Sequence, residues 1–244
     1  MRRVLILGGT GDAAELAAKV SMIPGVKVIT SLAGRTRQPS TPIGQVRVGG
    51  FGGGTGLAAY LREERINLLI DATHPFAVQM SWNAATAAVE VGIPYLMLVR
   101  PAWAKVAGDN WIEVESVEAA VKAIPVTAKR VFLSIGRQQL APFAALTDTW
   151  FLMRSIDPPD GAIPHGQLLL DRGPFSLASE RKLLRDYQID ALVSKNSGGD
   201  ATYPKIIAAR ELGIPILMVQ RQVLPPGEQV ADVESAVVWL SQSL

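Results

Sequence analysis

The chain contains no cysteine, which excludes both a disulfide framework and a thiolate metal site. Only two histidines occur, His74 and His165, so a histidine-rich metal centre is excluded as well. No run of Lys and Arg is present. A net charge of +2 over 244 residues makes no electrostatic case for a nucleic acid partner. No apolar stretch reaches the roughly 18 residues that a membrane-spanning helix needs. The apolar run after Met1-Arg2-Arg3 is too short for a signal peptide. The expectation is a soluble, cytoplasmic protein with no nucleic acid, no membrane contact and no resident metal. Tyr-x-x-x-Lys, a Walker loop and a Gly-x-Ser-x-Gly elbow are also missing, which sets aside three common chemistries.

What is present begins at once. Val4-Leu5-Ile6-Leu7 runs into Gly8-Gly9-Thr10-Gly11, and a helical pattern starts behind it. Gly9-x-Gly11-x-x-Ala14 is the alanine-ended form of the dinucleotide fingerprint. In that reading Gly9 permits the tight turn, Gly11 lets the backbone approach a pyrophosphate, and Ala14 lets the helix pack closely on its strand. The helix N-terminus offers N–H groups and a positive dipole end to an anion. A glycine-rich turn with no ligand is the alternative.

Strands and helices then alternate, which predicts a parallel α/β sheet. The expected strands are Lys27–Thr30, Gln45–Val48, Ile66–Ile70 and Tyr95–Val99, then Val131–Ser134, Trp150–Arg154, Gln167–Leu170, Ile189–Val193 and Ile216–Val219. The plan of the first half recurs in the second. Ala87–Met97, with Gly92-Ile93-Pro94 inside it, matches Ala208–Met218, with Gly213-Ile214-Pro215. Val114-Glu115-Ser116 is matched with Val233-Glu234-Ser235. The chain thus reads as two similar Rossmann-like parallel-sheet domains of α/β class, related by an internal repeat, with a ligand cleft between them. The boundary falls within Pro101–Lys129. Residues 1–110 form the dinucleotide-binding domain and 111–244 the substrate-binding domain. A two-domain monomer makes its own cleft, so a monomer is expected.

Ligands in open parallel sheets bind beyond the carboxyl ends of the strands. After the second strand an Asp or Glu would suit a free ribose 2′-hydroxyl. Ser31, Arg35 and Thr36 stand there instead, and a cation with two hydroxyls suits the 2′-phosphate of NADP. In the second half every strand ends in or near a cation: Arg137, Arg154, Arg172, Lys195 and Arg221. Some are expected to be solvated charges at sheet edges. The others would form a basic pocket for a polyanionic substrate. His74 is either a proton donor or cofactor contact, or a structural residue that bonds its own turn. Asp71 is expected to cap the segment after it. Trp103 and Trp111 are expected to cover a hinge rather than stack on a ligand.

Several blocks together resemble the precorrin-6A reductase family. They are Gly8-Gly9-Thr10, Ala33-Gly34-Arg35-Thr36, Val48–Gly53, Asp71-Ala72-Thr73-His74-Pro75-Phe76-Ala77, Arg100-Pro101-x-Trp103, Arg172-Gly173-Pro174-Phe175 and Ser194–Gly199. They span nearly the whole chain. The resemblance implies an NADPH-dependent reductase of cobalamin biosynthesis that transfers a hydride to a ring double bond of a polycarboxylate tetrapyrrole, with protonation of the neighbouring carbon. It places Gly9, Thr10 and Gly11 at the phosphates, and Ser31, Arg35 and Thr36 at the 2′-phosphate. Gly49, Gly50, Phe51 and Gly52, with Thr73, His74, Pro75 and Phe76, lie near the ribose and nicotinamide. Arg137, Arg172, Lys195, Ser197, Gly198 and Gly199 hold the substrate. Lys195 and His74 are the candidate catalytic groups, and solvent is the alternative proton source. The rival reading is a non-redox two-domain protein for a polyanionic ligand, either a tetrapyrrole synthase or lyase or a binding protein.

Arg35→Ala is expected to weaken NADPH binding about ten- to hundredfold, as loss of a charge-assisted bond to a phosphate would, and to leave NADH nearly unchanged. Equal losses for both cofactors in titration calorimetry would remove Arg35 from this role.

Overall fold

A computed structural model describes residues 1–34 and 43–243. The chain divides into two compact units, Met1–Pro101 with Gln222–Leu244, and Ala102–Arg221. The first unit begins β1 (Arg2–Leu7), α1 (Gly11–Ser21), β2 (Val26–Leu32), β3 (Gln45–Val48), α2 (Gly53–Glu63), β4 (Leu68–Asp71), α3 (Val78–Val91) and β5 (Tyr95–Leu98). The second unit comprises β6 (Trp111–Val114), α4 (Val117–Ala123), β7 (Arg130–Ser134), β8 (Trp150–Ser155), β9 (Gly166–Leu170), α5 (Leu177–Asp186), β10 (Ala191–Lys195), α6 (Pro204–Glu211) and β11 (Ile216–Val219). Then β12 (Glu228–Val230) and α7 (Val233–Ser243) return to the first unit.

Each sheet has six strands and all recorded pairs are parallel. The first runs β12-β5-β4-β1-β2-β3 and the second β6-β11-β10-β7-β8-β9. Counted from β1 in the first sheet and from β7 in the second, with β12 and β6 as the sixth strands, both follow the doubly wound order 3-2-1-4-5-6. The repeat seen in the sequence is therefore a repeat of topology. Its sixth strand is exchanged: β6 follows β5 in sequence but joins the second sheet, and β12 follows β11 but joins the first.

This exchange moves the domain boundary. A division at 110/111 would leave Gln222 onward in the second domain, whereas those residues complete the first. The reason is burial. Val233, Ala236 and Leu240 of α7 enter the same core as Val4 and Ile6 of β1, Leu16 and Val20 of α1, and Leu96 of β5. The other face of the first sheet buries Leu5, Leu7, Ile29 and Leu69 against Leu57 and Leu61 of α2 and Ala84 and Ala87 of α3. Alternate residues of β1 thus serve opposite faces, as expected of a central parallel strand. In the second unit Phe132, Leu152, Leu192 and Ile216 pack with Leu184 of α5 and Ile206 of α6, and Trp111 joins them.

The internal repeat has a local cause in its helix ends. Gly92 and Gly213 take left-handed φ values of 73° and 68°, where glycine meets no Cβ penalty. Ile93 N–H then bonds Ala88 O, and Ile214 N–H bonds Ala209 O, each closing a six-residue Schellman turn. Arg65 and Gln188 do the same at φ 50° in α2 and α5, with Ile66 bonding Leu61 O and Ile189 bonding Leu184 O. Ile66 and Ile189 are therefore helix-capping residues, not the first residues of strands. The strands begin at Leu68 and Ala191. The pairing of Val114-Glu115-Ser116 with Val233-Glu234-Ser235 is also out of register by one helical turn. Ser116 Oγ accepts from Ala119 N–H, and Asp232 Oδ1 accepts from Ser235 N–H. The equivalent N-caps are therefore Ser116 and Asp232, and Val233 opens α7.

Leu240→Ala should cost about 2–5 kcal/mol, the range for emptying a buried leucine site. Native-state hydrogen exchange should show the loss in β1, β4 and β5. Loss of protection centred on β7 and β10 instead would contradict this assignment of the C-terminal helix.

Candidate functional site

In the first unit the strand order reverses between β1 and β4, so a crevice opens at their carboxyl ends. Gly9 follows β1 with φ 113°. A β-carbon built at Gly9 or at Gly11 meets nothing within 4 Å, so the turn faces open space. The closely packed positions are neighbours of the expected ones. A β-carbon on Gly8 would sit 3.0 Å from Thr30 Cγ2, and Ala13, not Ala14, is the fully buried small residue of the first helical turn. Ala14 is therefore corrected as the residue that lets the helix approach its strand.

Thr10 caps α1. Its Oγ1 accepts from Ala13 N–H at 3.0 Å and donates to Ala72 O at 2.8 Å. The hydroxyl proton is thereby committed to tying the turn after β1 to the end of β4. The N–H groups of Gly11 and Asp12 precede the helical ladder of α1. Asp12 opposes an anion there, but Arg100 pairs with it at 2.8 Å and offsets its charge.

At the end of β4, Asp71 is buried and organises the next loop. Its Oδ1 accepts from Thr73 N–H at 3.0 Å and from Thr73 Oγ1 at 2.6 Å. Its Oδ2 accepts from Ser81 Oγ at 2.5 Å and from Tyr95 OH at 3.5 Å. Burial first, and the Asp71 carboxylate second, raise the Tyr95 phenol above its ordinary pKa and keep it a donor. His74 Nδ1 accepts Phe76 N–H at 3.2 Å, and His74 O accepts Ala77 N–H at 2.7 Å. An accepting Nδ1 leaves the proton of the neutral ring on Nε2. Asp71, Thr73, His74 and Pro75 line one crevice with Leu224 of the returning segment.

Beside β1 lies the second cluster. Ser31 is the penultimate residue of β2 and Arg47 is its partner in β3. Arg47 donates to Ser31 Oγ at 3.3 Å, to Gly49 O at 2.5 Å and to Gly50 O at 2.7 Å, and its guanidinium lies 3.8 Å over the Phe51 ring. Gly52 takes φ 80° and caps α2, and Phe51 O would lie 1.7 Å from a β-carbon on Gly56. The Gly49–Gly53 loop is thus held from both ends. Arg35 and Thr36 lie outside the described residues.

In the second unit, the expected cations separate by role. Arg154 is buried and makes a bidentate ion pair with Glu180 at 2.6 and 3.0 Å, under the Phe175 ring. Arg221 donates to Asn196 O and Ser197 O, both at 2.9 Å. These two build the scaffold. Arg137 bonds Pro158 O and Asp160, each at 2.8 Å, while Arg172 is exposed. Lys195 ends β10, and its carbonyl accepts Ser197 N–H at 2.8 Å. Gly198 and Gly199 take left-handed φ values, and Gly199 O accepts Trp103 Nε1–H at 2.9 Å. Trp103 and Trp111 are both structural elements of the second unit. Trp103 exchanges two hydrogen bonds with the Asn196 side chain, and Trp111 is in the core.

The geometry agrees with the comparisons to known proteins. Residues 3–241 match the family described as Precorrin-6x reductase CbiJ/CobK. The chain belongs to this family. Its members are reductases of cobalamin biosynthesis. Among its relatives is a precorrin-6A reductase of Rhodococcus erythropolis, 51% identical, with 98% of each chain covered. One of Mycobacterium tuberculosis is 47% identical over 99% of this chain and 98% of that one. A solved structure titled CobK precorrin-6A reductase superimposes with a TM-score of 0.93 at 40% identity, covering 100% of this chain and 97% of that one. Among the described residues no helix is long and apolar enough to cross a membrane.

Sequence reasoning missed two groups. Arg47 is one. The other is Lys205 of α6, which is 3% exposed, donates to Thr202 O at 3.1 Å and faces the Trp103 ring. Burial, then the charge of Arg154, lowers its pKa from 10.5 to about 7, against an opposing pull from Glu180. Between those two values the unfolded chain holds more protons than the folded one, so folding stability should rise with pH through that window. Lys205→Met should remove this rise and be more stable than the parent at pH 7. Parallel stability curves from pH 7 to 10 for the two proteins would contradict it.

Proposed function

We propose that the chain is an NADPH-dependent reductase that adds hydride to a ring double bond of precorrin-6A, giving the dihydro product precorrin-6B. The family match over residues 3–241 carries this reading, and a glycine turn at the switch point of the first sheet supports it. The turn fits a dinucleotide, because open space lies beside Gly9 and Gly11 and a helix begins there. The first unit is the cofactor half. Gly9, Thr10 and Gly11 hold the pyrophosphate through backbone N–H groups. Ser31, Arg35 and Thr36 serve the ribose 2′ side. Gly49, Gly50, Phe51 and Gly52, with Thr73, His74, Pro75 and Phe76, flank the ribose and nicotinamide. NADPH, when bound, supplies the hydride.

The second unit is the substrate half. Arg137, Arg172 and Lys195 bind side-chain carboxylates of the tetrapyrrole, and Ser197, Gly198 and Gly199 add a hydroxyl and backbone donors. Asp71 acts behind the first-unit loop. By bonding Thr73 and Ser81 it braces the loop that carries His74, while the Phe76 N–H bonds the His74 ring at Nδ1. Lys195 and His74 are the two groups of this chain assigned to moving the proton that follows hydride addition.

Adding precorrin-6A to the protein with NADPH should oxidise NADPH and yield the dihydro product. Lys195→Ala should raise the substrate KM and leave NADPH affinity nearly unchanged. If kcat falls as well, Lys195 acts in the transition state. Unchanged kinetics with a lowered melting temperature would leave Lys195 a structural role only.

A further inference from the structure

Arg47 is a cation with an unusual set of partners. It is half-buried, and among the described residues no carboxylate pairs with it. A guanidinium has five donor hydrogens. Three contacts are made, to two carbonyls and one hydroxyl, so donors remain beyond those used to hold the loop. One face of the guanidinium is covered by Phe51 at 3.8 Å, with Tyr60 at 5.1 Å. Removing a guanidinium from water without an opposite charge is unfavourable unless an anion completes it.

Its position says which anion. In a sheet of this strand order the adenosine ribose lies beyond the carboxyl end of the second strand. Ser31 is in β2 at that end, and Arg47 is its register partner one strand outward, 3.3 Å from its hydroxyl. We propose that Arg47 is a specificity-determining residue that binds the 2′-phosphate of the cofactor beside Ser31, while its bonds to Gly49 O and Gly50 O hold the glycine loop in place. The inference rests on the reading of the chain as an NADPH enzyme. It adds a cation that is held in place by backbone carbonyls before any ligand arrives, which lowers the ordering cost of binding.

The test compares 2′,5′-ADP with 5′-ADP by titration calorimetry on the full chain. The parent protein should prefer 2′,5′-ADP. Arg47→Ala should reduce that preference at least tenfold and change 5′-ADP affinity little. Arg47→Lys keeps a charge and should keep part of the preference. Arg47→Gln keeps a donor without charge and should lose it, so this pair decides the matter even if the alanine variant does not fold. An intact preference in Arg47→Gln, or equal losses of both nucleotides, would overturn the role of Arg47 and leave it a support for the loop. No preference in the parent protein would overturn the NADPH reading itself.

Discussion

The parallel pairing of β12 with β5 is the contact on which the first unit depends. It spans three residues, Glu228, Gln229 and Val230 against Leu96, Met97 and Leu98. Behind it α7 lays Val233, Ala236 and Leu240 onto the core that contains Leu16 and Val20. Without that cover, one face of the first sheet and the inner face of α1 would lose their packing partners. At about 25 cal/mol per Å² of apolar surface, three such side chains are a large share of a domain's marginal stability. The same cover reaches the site, because Leu224, in the segment leading to β12, lines the crevice with Asp71 and His74.

The electrostatics of the two units differ in kind. In the first, polar groups at the strand ends hold their own loops: Thr10 bonds Ala72 O, Asp71 bonds the Thr73 and Ser81 hydroxyls, and His74 bonds Phe76 N–H. In the second, the charges are the builders. Glu180 neutralises Arg154 in the interior, and Lys205 sits nearby with its charge disfavoured by burial. Burying an ion pair gives little net stability, but removing one partner is costly, so Arg154 of β8 and Glu180 of α5 each depend on the other.

Much of this was legible in the residues. Alternating strands and helices were visible because central parallel strands are apolar on both faces, as Val4–Leu7 shows. The repeat was visible because Gly-Ile-Pro marks a helix end with few alternatives. Other features left no local trace. β6 and β12 are short edge strands, and polar residues interrupt both of them. Edge strands carry weak patterns, so both read as connections. The exchange of sixth strands is a long-range pairing, and no spacing announces it. Arg47 reads as the polar member of an alternating strand, and only the pairing of β3 with β2 brings it to Ser31. Arg154 reads as a strand-end cation until Glu180, far along the chain, is seen beside it.

The exchange also has a consequence in time. A ribosome makes β1 to β5 first, then the whole of the second unit, and only then β12 and α7. At about 5–20 residues per second, the first sheet waits on the order of ten seconds with β5 as a bare parallel edge. Such an edge is a template for pairing with other chains. The nascent first half therefore stays open to mispairing until β12 and α7 emerge, and the two halves made as separate polypeptides would each carry the sixth strand of the other.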